Sequence, residues 1–141
     1  MYSKKILIVD DDPDVRHAMQ IRLTASGYDT CFAGDALTSF TMATTREPDL
    51  ILLDLGLPER DGHSVLERLK GNATLARIPV VVVSGRDARG NRDRAVAAGA
   101  KAYLQKPVSN AELMAVIRQL LGEKPLPGDA GVRENWKLKP G

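Results

Sequence analysis

The sequence predicts an α/β domain: a doubly wound parallel sheet of five strands with five helices on its two faces. Three observations carry that prediction. The short runs Ile6-Leu7-Ile8-Val9, Leu50-Ile51-Leu52-Leu53 and Val80-Val81-Val82-Val83 are apolar without alternation, as strands covered on both faces are. Between them lie segments with apolar residues at helical spacing, and right-handed crossovers then place helices on both sides of the sheet. Each run also stops at a polar residue: Asp10-Asp11-Asp12 after the first, Asp54 after the second, Ser84 after the third. A fourth segment, Ala102-Tyr103-Leu104-Gln105, runs into Lys106-Pro107 in the same way. Parallel sheets bind ligands outside the carboxyl ends of their strands, so these polar residues are expected on one rim.

In chain order, Lys4 to Val9 reads as the first strand, and Asp12-Pro13 starts a helix with Asp as N-cap and Pro at the first helical position. Val15, Met19 and Leu23 mark its apolar face, which continues to about Ser26 before Gly27 stops it. Tyr28 to Phe32 is a second strand, polar enough to lie toward the sheet edge. Asp35 caps a helix from Ala36 to about Thr45, with Leu37, Phe40 and Ala43 expected on one face. Pro48 introduces the strand ending at Asp54, and Gly56, Pro58, Asp61 and Gly62 break up the loop beyond it. Ser64 to Lys70 carries Val65, Leu66 and Leu69 inward, Ile78-Pro79 leads into Val80 to Val83, and Arg92 to Ala98 is the clear part of a polar fourth helix. Ser109 caps a last helix from Asn110 to Leu121 with Leu113, Val116, Ile117 and Leu120 on its apolar face, and Gly122 closes it. Residues 1–122 are therefore read as one domain. Residues 123–141, rich in Pro and Gly and without periodicity, are read as a flexible tail or linker.

Composition narrows the function. A chain of 141 residues with 43% hydrophobic content has room for one real core. A net charge of +2 gives no electrostatic case for nucleic acid or an anionic membrane as the main partner. The single cysteine, Cys31, falls in a strand and cannot build a disulfide framework or a cysteine metal cluster within the chain. No apolar stretch reaches membrane-spanning length and no export signal is visible, so the cytoplasm is the expected location.

The rim suggests a chemistry. Crowded carboxylates resist ionisation and need a cation at neutral pH. Magnesium suits them, because it prefers oxygen ligands and keeps waters that a phosphoryl oxygen can replace. Asp54 is then placed as a carboxylate nucleophile toward phosphorus, with the metal, Lys106 and the Ser84 hydroxyl on the phosphoryl oxygens.

The stretches Ile8-Val9-Asp10-Asp11-Asp12, Leu53-Asp54-Leu55-Gly56-Leu57-Pro58 with Asp61-Gly62, Val83-Ser84-Gly85, Ala98-Gly99-Ala100 and Tyr103-Leu104-Gln105-Lys106-Pro107 occur in this order, most of them at strand ends. Together they resemble the receiver domain of two-component response regulators, the family of the single-domain chemotaxis regulator, over about Lys4 to Leu121. The resemblance implies a flavodoxin-like sheet of order 2-1-3-4-5. It implies that Asp54 is the phosphoacceptor, charged by a histidine kinase or a histidine phosphotransfer protein. Magnesium would be held by Asp11 directly, by Asp10 largely through water, by Asp54 and by the Gly56 carbonyl, while Lys106 contacts the phosphoryl group. Ser84 and Tyr103 would act as the switch that couples phosphorylation to the face of the fourth helix, fifth strand and fifth helix. The implied role is a signalling phosphoacceptor with intrinsic phosphotransfer and autodephosphorylation, not an enzyme with an external substrate. Its output would pass to a downstream protein or a covalently linked effector domain, with no direct contact to nucleic acid or membrane.

Three features depart from the family pattern. Gly56 stands where many receivers carry a larger side chain, Arg86 occupies another position that tunes phosphate lifetime, and Lys101-Ala102 replaces the acidic pair usual in the winged-helix DNA-binding branch. The last weakens the case for that branch's symmetric dimer. Other readings compete. A haloacid-dehalogenase-type phosphatase uses a similar site but needs a second acid where Gly56 stands, and a cap domain. A phosphorylation-independent scaffold would not need intact acids, Ser84 and Lys106, and a nucleotide site would need a Gly-rich loop after the first strand. Asp12 is read as a helix cap, His17 and His63 as surface residues, and Arg86, Arg89, Arg92 and Arg94 as a solvated helix face with a docking patch for an acidic partner as the alternative. Trp136, with Val132 and Leu138, is either a short docking segment or part of a linker.

Overall fold

Aliphatic runs with no polar face must be covered from both sides, and the helices of this chain supply the cover. The computed structural model describes residues 3–57, 62–85, 88–127 and 129, with Ala88 and Arg89 described by their backbone only. Its strands are β1 (Lys5–Val9), β2 (Asp29–Ala33), β3 (Leu50–Leu53), β4 (Val80–Ser84) and β5 (Ala102–Gln105). Its helices are α1 (Pro13–Ala25), α2 (Ala36–Arg46), α3 (Gly62–Gly71), α4 (Ala88–Ala97) and α5 (Asn110–Leu120). The strands form one sheet in the order β2-β1-β3-β4-β5, with every pairing parallel. This is the expected order, with the most polar strand at an edge.

Period-two alternation splits each strand between two cores. Leu7, Val9, Ile51, Leu53 and Val82 face a cluster completed by Val65, Leu66 and Leu69 of α3 and Ala43 of α2. Their neighbours Ile6, Ile8, Leu50, Leu52 and Val81 face Met19 and Leu23 of α1 and Leu113, Val116 and Ile117 of α5. Both faces are dry, which is why the runs show no polar positions. Helix starts coincide with the capping residues: Asp12 accepts from the Asp14 N–H at 2.9 Å, Asp35 from Thr38 at 2.7 Å and Ser109 from Glu112 at 3.1 Å.

Several expectations need correction. Leu37 is 75% exposed; α2 buries Ala43 as expected, but with Ala36 and Ser39 beside it, and Phe40 is only partly covered. Nothing in the apolar spacing separates these two phases, since Ala36 and Leu37 both repeat at Phe40 and beyond. His63 is not a surface residue: it is fully buried, and its Nε2 lies 3.0 Å from the Asn91 Oδ1, joining α3 to α4. His17 is exposed as expected. Helix α4 begins at Ala88, ahead of Arg92, and accommodates Gly90 at φ +68°. A 3-10 turn at Leu75–Arg77, held by the Asn72 side chain accepting from the Thr74 and Leu75 N–H groups, is an addition to the elements expected from the sequence. Pro58, Asp61, Arg86 and Trp136 lie outside the described residues.

The end of α5 is closed by Gly122 at φ +71°, whose N–H donates to Gln119 while the Glu123 N–H donates to Arg118, a Schellman arrangement. The described part of the segment after it is tied to the domain. The Tyr28 hydroxyl donates to Glu123 at 2.8 Å, and Arg118 forms a two-pronged ion pair with Asp129, which also accepts from the Leu126 N–H. Burial first, then the Glu123 carboxylate, pushes the Tyr28 phenol far above its ordinary value.

Helix α3 starts hard against the backbone that succeeds Asp54. A Cβ on Gly62 would fall 2.5 Å from the Leu55 Cα and 2.7 Å from the Asp54 carbonyl oxygen. Backbone cannot yield as a side-chain tip can. Gly62→Ala is therefore expected to lose about 1–3 kcal/mol of stability through overpacking, whereas Gly71→Ala, whose Cβ meets nothing within 4 Å, should be neutral or slightly stabilising. Urea midpoints of the two variants check the contrast.

Candidate functional site

The carboxyl ends of β1, β3, β4 and β5 bring together residues that are scattered in the sequence. Asp10 comes directly after β1, Asp54 after β3 and Lys106 after β5, while Ser84 closes β4. Parallel register brings them to one level: Val9 pairs with Leu53, and Ser84 with Gln105. Two backbone bonds lock the ends together, from the Asp54 N–H to the Val9 carbonyl at 2.9 Å and from the Lys106 N–H to the Ser84 carbonyl at 2.8 Å.

Asp10, Asp11 and Asp54 each place one carboxylate oxygen within 4.8 Å of the others. Their surroundings differ. Asp10 is buried, Asp11 exposed and Asp54 half-buried. The Lys106 ammonium lies among them, donating to Asp10 at 2.8 Å and standing 3.7 Å from the nearer Asp54 oxygen. Asp54 also accepts from the Gly56 N–H at 3.1 Å. A Cβ on Gly56 would lie 3.6 Å from an Asp54 oxygen, so the glycine keeps the space beside the acid open.

Burial holds the Asp54 carboxyl above its ordinary value; the Gly56 N–H and Lys106 pull it down, and the Asp10 and Asp11 charges push it up again. Burial alone would lower the Lys106 ammonium, but the Asp10 hydrogen bond and the two carboxylates carry it above the usual lysine value.

Ser84 is fully buried at the end of β4. Tyr103, in register with Val82, is 2% exposed and belongs to the core cluster on the α3 side. The switch role implied for this residue has its ring turning inward on phosphorylation; here it is already inward. Asp12 caps α1 and its N–H donates to Asp10 at 3.0 Å, in keeping with a structural role. Of the arginine series, Arg94 is exposed and Arg92 half-buried, and Ala95 is the buried side chain between α4 and the sheet.

Two further features belong to the site. Arg16 donates to the Asp10 carbonyl at 2.7 Å, a contact with no signal in the sequence. Beside Lys106 runs a groove of about 440 Å³, lined by Val15, Ala18, Met19, Arg22, Pro107 and Val108. The amphipathic spacing of α1 contains half of that second signal, but only the position of Pro107 and Val108 turns the helix face into a groove.

The fold and strand order are those of CheY-like, flavodoxin-type domains. The chain belongs to the response regulator receiver domain family, whose model matches residues 6–118. Among curated proteins it is 38% identical over 118 residues to the response regulator PleD of Caulobacter vibrioides and 38% identical over 117 residues to the DNA-binding regulator RpaA of Synechocystis. These matches cover 84% and 83% of this chain but only 26% and 48% of those proteins. Among solved structures, a CheY-like receiver from Methanospirillum hungatei is 29% identical with a TM-score of 0.80, covering 86% of this chain and 95% of its own. The receiver domain of the Pseudomonas aeruginosa sensor kinase PA1611, solved with a magnesium ion coordinated in its active-site cleft, is 27% identical with a TM-score of 0.79, covering 86% of this chain and 100% of its own. No described helix is long and apolar enough to cross a membrane.

The raised Asp54 carboxyl has a measurable consequence. Without metal, the folded protein keeps that proton to higher pH than the unfolded chain, so the associated stability is complete below the unfolded value of about 4 and is lost as pH rises through the folded value. In EDTA, Asp54→Asn should therefore melt above the wild type at pH 7, and the gap should close as pH falls toward about 4. Equal melting temperatures at pH 7 would contradict burial as the cause.

Proposed function

We propose that this chain is a phosphoacceptor receiver: Asp54 takes a phosphoryl group from a phosphohistidine of a histidine kinase or histidine phosphotransfer protein, with magnesium at the three acids. The observation that carries this reading is the convergence of three carboxylate oxygens within 4.8 Å, beside an ammonium that reaches two of those acids.

The residues fit the ion. All the donors are hard oxygens, the ligands that magnesium prefers. With one oxygen of each acid within 4.8 Å of the others, Asp11 and Asp54 would hold the ion directly and the deeper Asp10 would hold one of its waters, with the Gly56 carbonyl as a further ligand. When bound, magnesium neutralises charge on the phosphoryl oxygens.

The remaining work falls to the chain itself. Asp54 attacks phosphorus through one carboxylate oxygen, the bond from phosphorus to the donor imidazole breaks, and the product is an acyl phosphate. Lys106 rests on Asp10 and stands 3.7 Å from Asp54, so a short swing of its flexible stem puts the ammonium on a phosphoryl oxygen. The Ser84 hydroxyl donates to another. Because Tyr103 is already inward, the phosphoryl group acts by stabilising that arrangement, which biases the α4, β5 and α5 face toward its partner-binding form. The apolar groove beside Lys106 supplies surface that a helical phosphohistidine donor can bury while presenting its imidazole at the rim. The phosphatase reading lacks its second acid, because position 56 is glycine and leaves that side of Asp54 bare.

Incubation with magnesium and acetyl phosphate should add the mass of one phosphoryl group to the intact protein. Asp54→Ala and the magnesium-free control should show none, and Lys106→Met should cut incorporation by about 10-fold or more, as loss of a transition-state charge contact does. Phosphorylation that persists in Asp54→Ala, or no phosphorylation although beryllofluoride binds, would sink the assignment.

A further inference from the structure

Asp10 is held at every polar atom. Its N–H donates to Ala33 at 3.1 Å, its Oδ1 accepts from the Asp12 N–H at 3.0 Å, and its Oδ2 accepts from Lys106 at 2.8 Å. The fourth contact is the least expected: Arg16, one turn into α1, reaches back so that its guanidinium donates to the Asp10 carbonyl at 2.7 Å. That carbonyl belongs to the peptide that joins Asp10 to Asp11, so the bond acts on the backbone carrying both acids. Gly34, just past β2, leaves room for the guanidinium, since a Cβ there would lie 3.0 Å from the donating nitrogen.

A cation beside a cation site is electrostatically costly, since Arg16 and a divalent ion repel. Its placement makes sense if the benefit is positional. We propose that Arg16 is a positioning residue for the magnesium site, fixing through the Asp10 carbonyl the backbone from which Asp10 and Asp11 would hold the ion, with the bare Gly34 leaving space for its tip. This rests on the magnesium-dependent function proposed for the site.

The two physical effects of Arg16 have opposite signs, which makes the test decisive. If its charge dominates, Arg16→Met strengthens magnesium binding. If its hydrogen bond dominates, the same variant weakens it, by about tenfold, the scale seen when a partner that orients a metal ligand is removed. Magnesium affinity is read from the amide shifts of Asp12 and Gly56 during titration with magnesium chloride. Arg68→Met serves as the control for loss of a guanidinium charge, because Arg68 lies in the last turn of α3 and stacks 4.3 Å from the Phe40 ring centroid, and its loss should leave magnesium affinity unchanged. Gly34→Ala keeps the Arg16 charge while displacing its tip, and should weaken magnesium in the same direction but less.

Phosphorylation by acetyl phosphate gives a second readout: the magnesium concentration for half-maximal rate should rise in Arg16→Met while the rate at saturating magnesium stays near that of the wild type. Unchanged or tighter magnesium binding in Arg16→Met overturns the proposal, and if that variant does not fold, Gly34→Ala decides by the same criterion. A wild type that binds no magnesium overturns the magnesium-dependent function itself, a result distinct from either.

Discussion

The ion pair between Lys106 and Asp10 is the contact on which the rim depends. Three carboxylates converge there, and without a nearby positive charge their mutual repulsion would drive the strand ends apart or leave the acids protonated. Lys106 supplies that charge from the far side of the sheet, 96 residues away in sequence. Its reach depends on β4 and β5 lying in register, with the Lys106 N–H on the Ser84 carbonyl. The ammonium is thus both a structural counter-charge and, 3.7 Å from Asp54, a group already close to the reacting acid. One side chain connects the stability of the metal-free domain to its proposed chemistry.

Much of this is legible in the sequence because it rests on local signals. Aliphatic runs buried on both faces cannot be much other than central parallel strands, and β1, β3 and β4 fall where their residues place them. Capping residues mark the starts of α1, α2 and α5, since a side-chain acceptor before a helix is a one-residue signal. The membership of the rim is a consequence: once strands are parallel, the residues at their carboxyl ends meet.

Tertiary context decides the features that local signals miss. The phase of α2 depends on which of two overlapping apolar faces meets the sheet; both share Phe40 and Ala43, and Ala36 rather than Leu37 takes the inner place. His63 reads as a surface residue because polarity predicts exposure, but Asn91 arrives from α4 to partner it inside the fold. The same partner sits on a helix that begins earlier than its glycine suggests. Arg16 is hidden for another reason. A guanidinium that binds a backbone carbonyl leaves no complementary residue to read, and its acceptor is an atom every residue has.

The closure of α5 sets where the chain leaves the domain. Arg118 and Asp129, with Tyr28 on Glu123, hold the described segment after α5 against the foot of the sheet, at the opposite end of the strands from Asp54. Helix α5 has 11 residues, a span of about 16 Å at 1.5 Å per residue. The acid cluster and the end of α5 thus lie at opposite ends of the strands. The segment after α5 is thereby moored to a helix whose middle, through Leu113, Val116 and Ile117, is anchored in the core.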